Sequence, residues 1–130
     1  MKVNPRTPVL IGVGQINQRD DASTTMDPIE LMVAAARCAG GDPALRAVDA
    51  IRVVNLLSWR YQDPGRLLGE RLGVEKVSTQ YTGVGGNVPQ SLVNQACLDL
   101  QAGDASVVLL AGAEAWRTRM RLRGRGIKPD

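Results

Sequence analysis

The residues with the clearest chemical potential lie in the turn Thr82-Gly83-Val84-Gly85-Gly86-Asn87, which is too flexible and too poor in side chains to extend a strand or a helix. Val77-Ser78-Thr79-Gln80-Tyr81 reads as the strand that enters it. A helix must follow from near Asn87, with Asn87 as N-cap, Pro89 in the first turn, and apolar residues at Val88, Leu92, Val93, Ala96, Cys97 and Leu100. Gly103-Asp104 stops that helix, and Val107-Val108-Leu109-Leu110-Ala111-Gly112 is an apolar run of strand length, as expected for a strand covered on both faces. The unit is a βαβ crossover, for which the right hand is expected. At the carboxyl end of a parallel strand, a helix N-terminus presents free N–H groups and partial positive charge. Gly83 to Asn87 can therefore cradle an anion or host a reactive group; glycines that only make a tight connection are the competing reading.

Few other residues offer chemistry. The chain of 130 residues contains no histidine, so it lacks the commonest general base at neutral pH and the commonest metal ligand. Its two cysteines, Cys38 and Cys97, have neither C-x-x-C nor zinc spacing, and both fall in expected helices as small buried hydrophobes. No metal site is expected. Phe is absent, and Trp and Tyr together make 3% of the chain, too little aromatic surface for a module that stacks on single-stranded nucleic acid. The net charge of +3 is uneven: residues 117–130 carry six basic groups against one acid, and the remainder carries ten against twelve. The basic character belongs to the tail and gives no support for nucleic-acid binding by the domain. No signal-like N-terminus or membrane-length apolar run is visible, so a soluble cytoplasmic protein is expected.

The elements that must position the turn follow from the rest of the chain. Pro8 to Gly14 reads as a first, central strand. Its Gly12-x-Gly14 does not make a dinucleotide fingerprint, because Gln15 to Met26 is polar and irregular where a helix would have to open. Asp27-Pro28 with Glu30 starts a helix that Gly40-Gly41 ends, and Asp42-Pro43 starts a further helical turn through Leu45. Residues 50–57 form a second strand rich in β-branched residues. Trp59 and Tyr61 lie on a connection, where they cover the sheet or border a ligand. Asp63-Pro64-Gly65 then caps a short helix that runs to Leu72, with Gly73 after it. Strands near 9–13, 50–57, 76–81 and 106–111 alternate with helices, so the fold class is α/β with a parallel sheet.

These residues resemble a known family. Gly103-Asp104-Ala105 through Ala111-Gly112-Ala113-Glu114 is similar to the G-D-A-x-x-x-x-x-A-G-G-x-E segment of thiolases, acyl-CoA acetyltransferases that cleave or form 3-ketoacyl-CoA. Pro8 to Gly14 and the entry Asp49-Ala50-Ile51 match the N-terminal half of that family. The resemblance implies residues 1–114 as a thiolase-like N-terminal α/β domain and 115–130 as a basic tail that begins a truncated following segment. It further implies four mainly parallel strands in the order 3-2-1-4 with helices on both faces, and a well-buried helix from Asn87 to Ala102, open on one side in an isolated half.

The same resemblance implies acyl-CoA, a coenzyme A thioester, as substrate or ligand, and a homodimer formed through Val77 to Tyr81. It also implies a partner in the C-terminal half of the same protein, which supplies the family's histidines and second cysteine. The departure falls at Gly86, which takes the place of the family's nucleophilic cysteine, so no catalytic residue is expected and the chain alone should be inactive. Two alternatives remain: a small anion- or nucleotide-binding module using Gly83 to Asn87, and a non-catalytic assembly domain. Arg117, Arg119, Arg121, Arg123 and Arg125 form either a solvated charge run on a poorly packed extension or contacts to coenzyme A phosphates.

Overall fold

A computed structural model describes residues 2–19 and 25–129. The capping expected at Asp27 is complete. Its carboxylate accepts from the Glu30 amide and the Glu30 carboxylate accepts from the Asp27 amide, each at 2.9 Å, opening α1 (Pro28–Ala39). After α2 (Asp42–Arg46) come β1 (Ala50–Val53), α3 (Pro64–Leu72), β2 (Ser78–Tyr81), α4 (Val88–Ala102), β3 (Val108–Ala111) and α5 (Trp116–Gly124). Gly73 and Gly103 close α3 and α4 at φ 75° and 84°, in the left-handed region where a side chain would be strained.

The sheet has the order β2-β1-β3, with both pairings parallel, and Ile51 stands opposite Thr79 on one side and Leu109 on the other. Strand alternation sends Ile51 and Val53 into a core with Ile29 and Met32 of α1 and Leu68 of α3. Arg52 points to the other face, where its guanidinium meets Asp99 of α4 at 3.6 Å. Helices therefore cover both faces.

Among the described residues the sheet has three strands, not four. The segment around 9–13 stays outside it, and Val9, Leu10, Ile11 and Val13 are between 66% and 82% exposed. The glycines give the physical reason. A Cβ added at Gly12 would collide with the Ala39 carbonyl, and one at Gly14 with the Ala35 carbonyl, so the segment's side-chain-free edge is pressed against the alanine face of α1. That contact holds it apart from β3 across an apolar groove of about 440 Å³. β3 instead pairs directly with β1, so in sequence numbering the order is 3-2-4 rather than 3-2-1-4.

Two further expectations are corrected. The helix expected from Asn87 to Ala102 forms, but Leu92 and Ala96 are its only buried residues, and Val93 and Leu98 are exposed, so most of its circumference is open. Cys38 is exposed on α1 and Cys97 is half-buried, so neither is a core residue. Cys38 lies in the last turn of α1, past the stripe that faces the core. The polar stretch after Gly14 has no regular structure over its described residues, and 20–24 lie outside them.

Candidate functional site

All three strands point the same way, so their carboxyl ends share one edge of the sheet. Side chains tie that edge together. Thr82, after β2, receives the Asn55 amide on its Oγ1 and the Asn55 Nδ2–H on its carbonyl, both at 3.0 Å, and the Leu56 amide donates to Tyr81 Oη at 3.0 Å. After β3, the Glu114 carboxylate accepts from the Leu57 and Ser58 amides at 2.7 Å each. Buried Ser58 accepts the Ala115 amide on Oγ at 2.9 Å, and its carbonyl accepts from the Arg119 guanidinium at 2.7 Å. Charged groups on these short bonds make them the stronger members of the network.

The turn at Gly83–Asn87 leaves this braced edge and enters α4. Asn87 occupies the cap position but makes no side-chain bond to the helix, so the first-turn N–H groups lack a side-chain acceptor. The turn closes on itself through the Val88 amide and the Gly85 carbonyl at 3.1 Å. Gly86 is exposed and does not have a positive φ, and a Cβ built on it meets nothing within 4 Å. A side chain at this position would stand free at the mouth of the helix, where a thiol would feel the helix field. Glycine supplies none.

The neighbouring candidates do not replace it. Ser91 Oγ donates back to the Asn87 carbonyl at 3.2 Å, a local helix bond. Cys97 lies eleven residues on, about 16 Å along the helix axis, and lines the apolar groove beside β3. Among the described residues no cluster of His, Cys, Asp or Glu is arranged to hold a metal ion, and no helix is long and apolar enough to cross a membrane.

The aromatics of the connection are packed rather than poised at an opening. Trp59 is buried with Leu31 and Ala115, and the Tyr61 ring lies between that cluster and the main core. Tyr61 Oη is buried and makes no hydrogen bond of good geometry, the Ile29 backbone being its one polar approach. Burial, reinforced by the charges of Asp27 and Glu30 and by Tyr81 and only partly offset by the Ile29 backbone, pushes its pKa well above the ordinary tyrosine value.

The start of the basic tail is folded. Thr118 of α5 is buried and donates to the Met26 carbonyl at 2.9 Å, and Arg117 donates to the Arg19 carbonyl at 2.9 Å. With Arg119 on Ser58, these bonds dock the helix against Arg19, Met26 and the connection that follows β1. Sequence reasoning treated the arginines as one charged run and missed this docking. The signal available was Thr118, the one uncharged polar residue inside the run.

No family model matches the chain, and no curated protein does. Among solved structures, the chain is similar to a monomeric SCP2-thiolase-like protein type 1 from Mycobacterium smegmatis, with a TM-score of 0.73 and 29% sequence identity. The match covers 85% of this chain but only 24% of that one, so the chain spans about a quarter of the length of its structural relative. The parallel sheet, the helices on both faces and this similarity together make the fold thiolase-like.

Proposed function

We propose that this chain is the N-terminal region of a thiolase-like acyl-CoA acyltransferase in which the nucleophile has been lost. In this reading it binds acyl-CoA without forming an acyl-enzyme and is inactive alone. The observation that supports this most is Gly86: a thiolase-like scaffold brings an open helix N-terminus to the carboxyl edge of the sheet, and the residue there has no side chain. The Val88 amide is committed to the Gly85 carbonyl and Pro89 has no N–H, so the Gln90 amide and the field of the helix are what would polarise a thioester carbonyl there. The polar sheet edge formed by β2 is the proposed surface for a homodimer, and the C-terminal half of the same protein is the proposed source of base and second cysteine. Light scattering that returns a monomer at high concentration removes the dimer.

The test of the chemistry is intact-protein mass spectrometry after incubation with acetyl-CoA, on the native chain and on Gly86→Cys. On the variant, the thiolate would attack the thioester carbonyl and coenzyme A would leave as its thiol, adding one acetyl group. The expected result is an adduct on the variant and none on the native protein. An adduct on native Cys97 overturns the assignment, and adducts on neither protein favour the anion-cradle reading of Gly83 to Asn87.

A further inference from the structure

The apolar groove of about 440 Å³ lies between two stretches of backbone that run the same way without pairing. One is β3, which has β1 on one side and no strand on the other. The other is residues 8–14, whose backbone makes no hydrogen bond among the described residues. Their common direction follows from the ends of the segment. Arg6 approaches the Gln101 carbonyl at 3.5 Å and lies beside Gly103, just before β3, whereas Ile16 packs on the cluster that holds Ala115, just after it. α1 forms one wall of the groove through Ala35, Ala36 and Ala39, and α4 the opposite wall through Val93, Ala96 and Leu100. No charged side chain lines it. The groove is therefore apolar on its two walls and polar on its two rims, where outward N–H and C=O groups have no protein partner.

From this arrangement we propose that the groove receives one extended, uncharged strand from the C-terminal half of the same protein, inserted between β3 and residues 8–14. The inference rests on the reading of this chain as an N-terminal region. Only 24% of the thiolase-like relative is matched, so a protein of that length has ample further chain to supply a strand. A strand satisfies both rims at once, since its N–H and C=O groups point to its two neighbours. Its side chains alternate between the α1 wall and the α4 wall, so both sets must be apolar. A charged strand would bury its charge unpaired against alanine and valine. An acyl chain would match the walls but leave both rims without hydrogen bonds. A second copy of the chain fits poorly. Its one comparable run, residues 9–13, is fastened to its own α1 through Gly12 and Gly14, and would carry that helix into a groove already walled by α1. Insertion also covers part of Val9, Leu10 and Val13, which line the groove and stand exposed.

The experiment is titration of the chain with a synthetic peptide, read by calorimetry and by amide hydrogen exchange. The peptide carries Val, Ile and Ala residues between terminal lysines and is long enough to span the four residues of β3. Two further probes are the same peptide N-methylated at alternate residues, which loses the hydrogen bonds along one edge, and decanoate, which has no backbone. The unmodified peptide is expected to bind and to slow exchange of the amides of residues 9–13 at least tenfold, and N-methylation to weaken it at least tenfold. Val93→Glu and Val13→Glu place a carboxylate in the groove from exposed positions and should each weaken the peptide at least tenfold. Leu98→Glu, exposed on α4 outside the groove, should change it less than twofold. Circular dichroism checks folding, and Val13→Glu carries the comparison should Val93→Glu fail to fold. No binding at millimolar peptide overturns the proposal, as does equal binding of the N-methylated peptide or displacement by decanoate. Self-association of the chain that Val93→Glu abolishes also overturns it, by making a second copy the occupant. Expressed from its complete reading frame, the protein should protect residues 9–13 with no peptide added; free exchange there overturns the same-protein source. Failure of this docking is distinguishable from failure of the acyl-CoA reading, because the latter is read from the Gly86→Cys adduct and not from the groove.

Discussion

Removing one oxygen atom, in Tyr61→Phe, is expected to stabilise this protein. The Tyr61 ring bridges the two apolar clusters, and phenylalanine keeps that packing. The hydroxyl is buried with no hydrogen bond of good geometry, and a fully unpaired one costs about 1–3 kcal/mol. Because the residue as a whole is only partly buried, about 0.5–2 kcal/mol is the expected gain at pH 7, or roughly 2–8 °C in melting temperature for a chain of this size. The pH dependence gives an independent check. The folded pKa lies above the unfolded value near 10, mainly through burial. Above about pH 10 the native state therefore holds a proton that the unfolded chain has released, and the stability present below that pH falls as pH rises. The loss is at most about 1.4 kcal/mol per pH unit and less after solvent screening. Phenylalanine has no such term, so its advantage should widen between pH 9 and pH 11. Thermal denaturation followed by circular dichroism at pH 7, 9, 10.5 and 11 measures both effects. A variant less stable than wild type at pH 7, or a gap that stays constant to pH 11, refutes the reasoning.

Three other substitutions probe the frame around the site. Glu114→Ala removes the acceptor of two 2.7 Å bonds and leaves the Ser58 amide in a buried turn; a loss of about 1.5–3 kcal/mol in urea denaturation is expected. Gly12→Val should push the N-terminal segment off α1, because its Cβ overlaps the Ala39 carbonyl, and protease cleavage near residues 8–14 should accelerate while α4 stays protected. Arg52→Ala removes the cation that faces Asp99 in a pair whose side chains are 13% and 16% exposed, leaving the carboxylate only the Gln95 side-chain amide at 2.8 Å. It should cost about 2–4 kcal/mol, and Arg52→Ala/Asp99→Ala should recover part of that in a double-mutant cycle.

The elements legible in the sequence were those set by local chemistry. Asp27-Pro28 and Asp63-Pro64 mark helix starts because a carboxylate and a missing N–H act within one turn, and both caps form as read. Gly73 and Gly103 stop helices for an equally local reason, a positive φ. Strand membership is different, since it depends on a partner's edge. The run Val9-Leu10-Ile11 has the composition of a central strand, but its two glycines also fit closely against the Ala35 and Ala39 carbonyls, and nothing within seven residues indicates which contact wins. The same limit hid Arg52–Asp99 and the docking of Thr118, each joining residues more than forty positions apart.

The candidate site divides along the same line. Within the stretch from Gly103 to Glu114, the residues that carry the thiolase resemblance are used as structure. Gly103 holds a left-handed cap, Ala105 is buried, and Glu114 clamps the end of β1 to the end of β3. They report the scaffold, and a scaffold can be kept whatever it once carried. The residue on which covalent chemistry would depend is Gly86, which meets nothing within 4 Å of a built Cβ and lies outside every cluster that stabilises the fold. Replacing a cysteine there by glycine would remove the nucleophile at little cost in packing, and restoring one should be tolerated equally well. On the proposed reading, the fold and the formation of an acyl adduct would be separable at this single position, which is why the mass measurement on Gly86→Cys would bear on the chemistry rather than on folding.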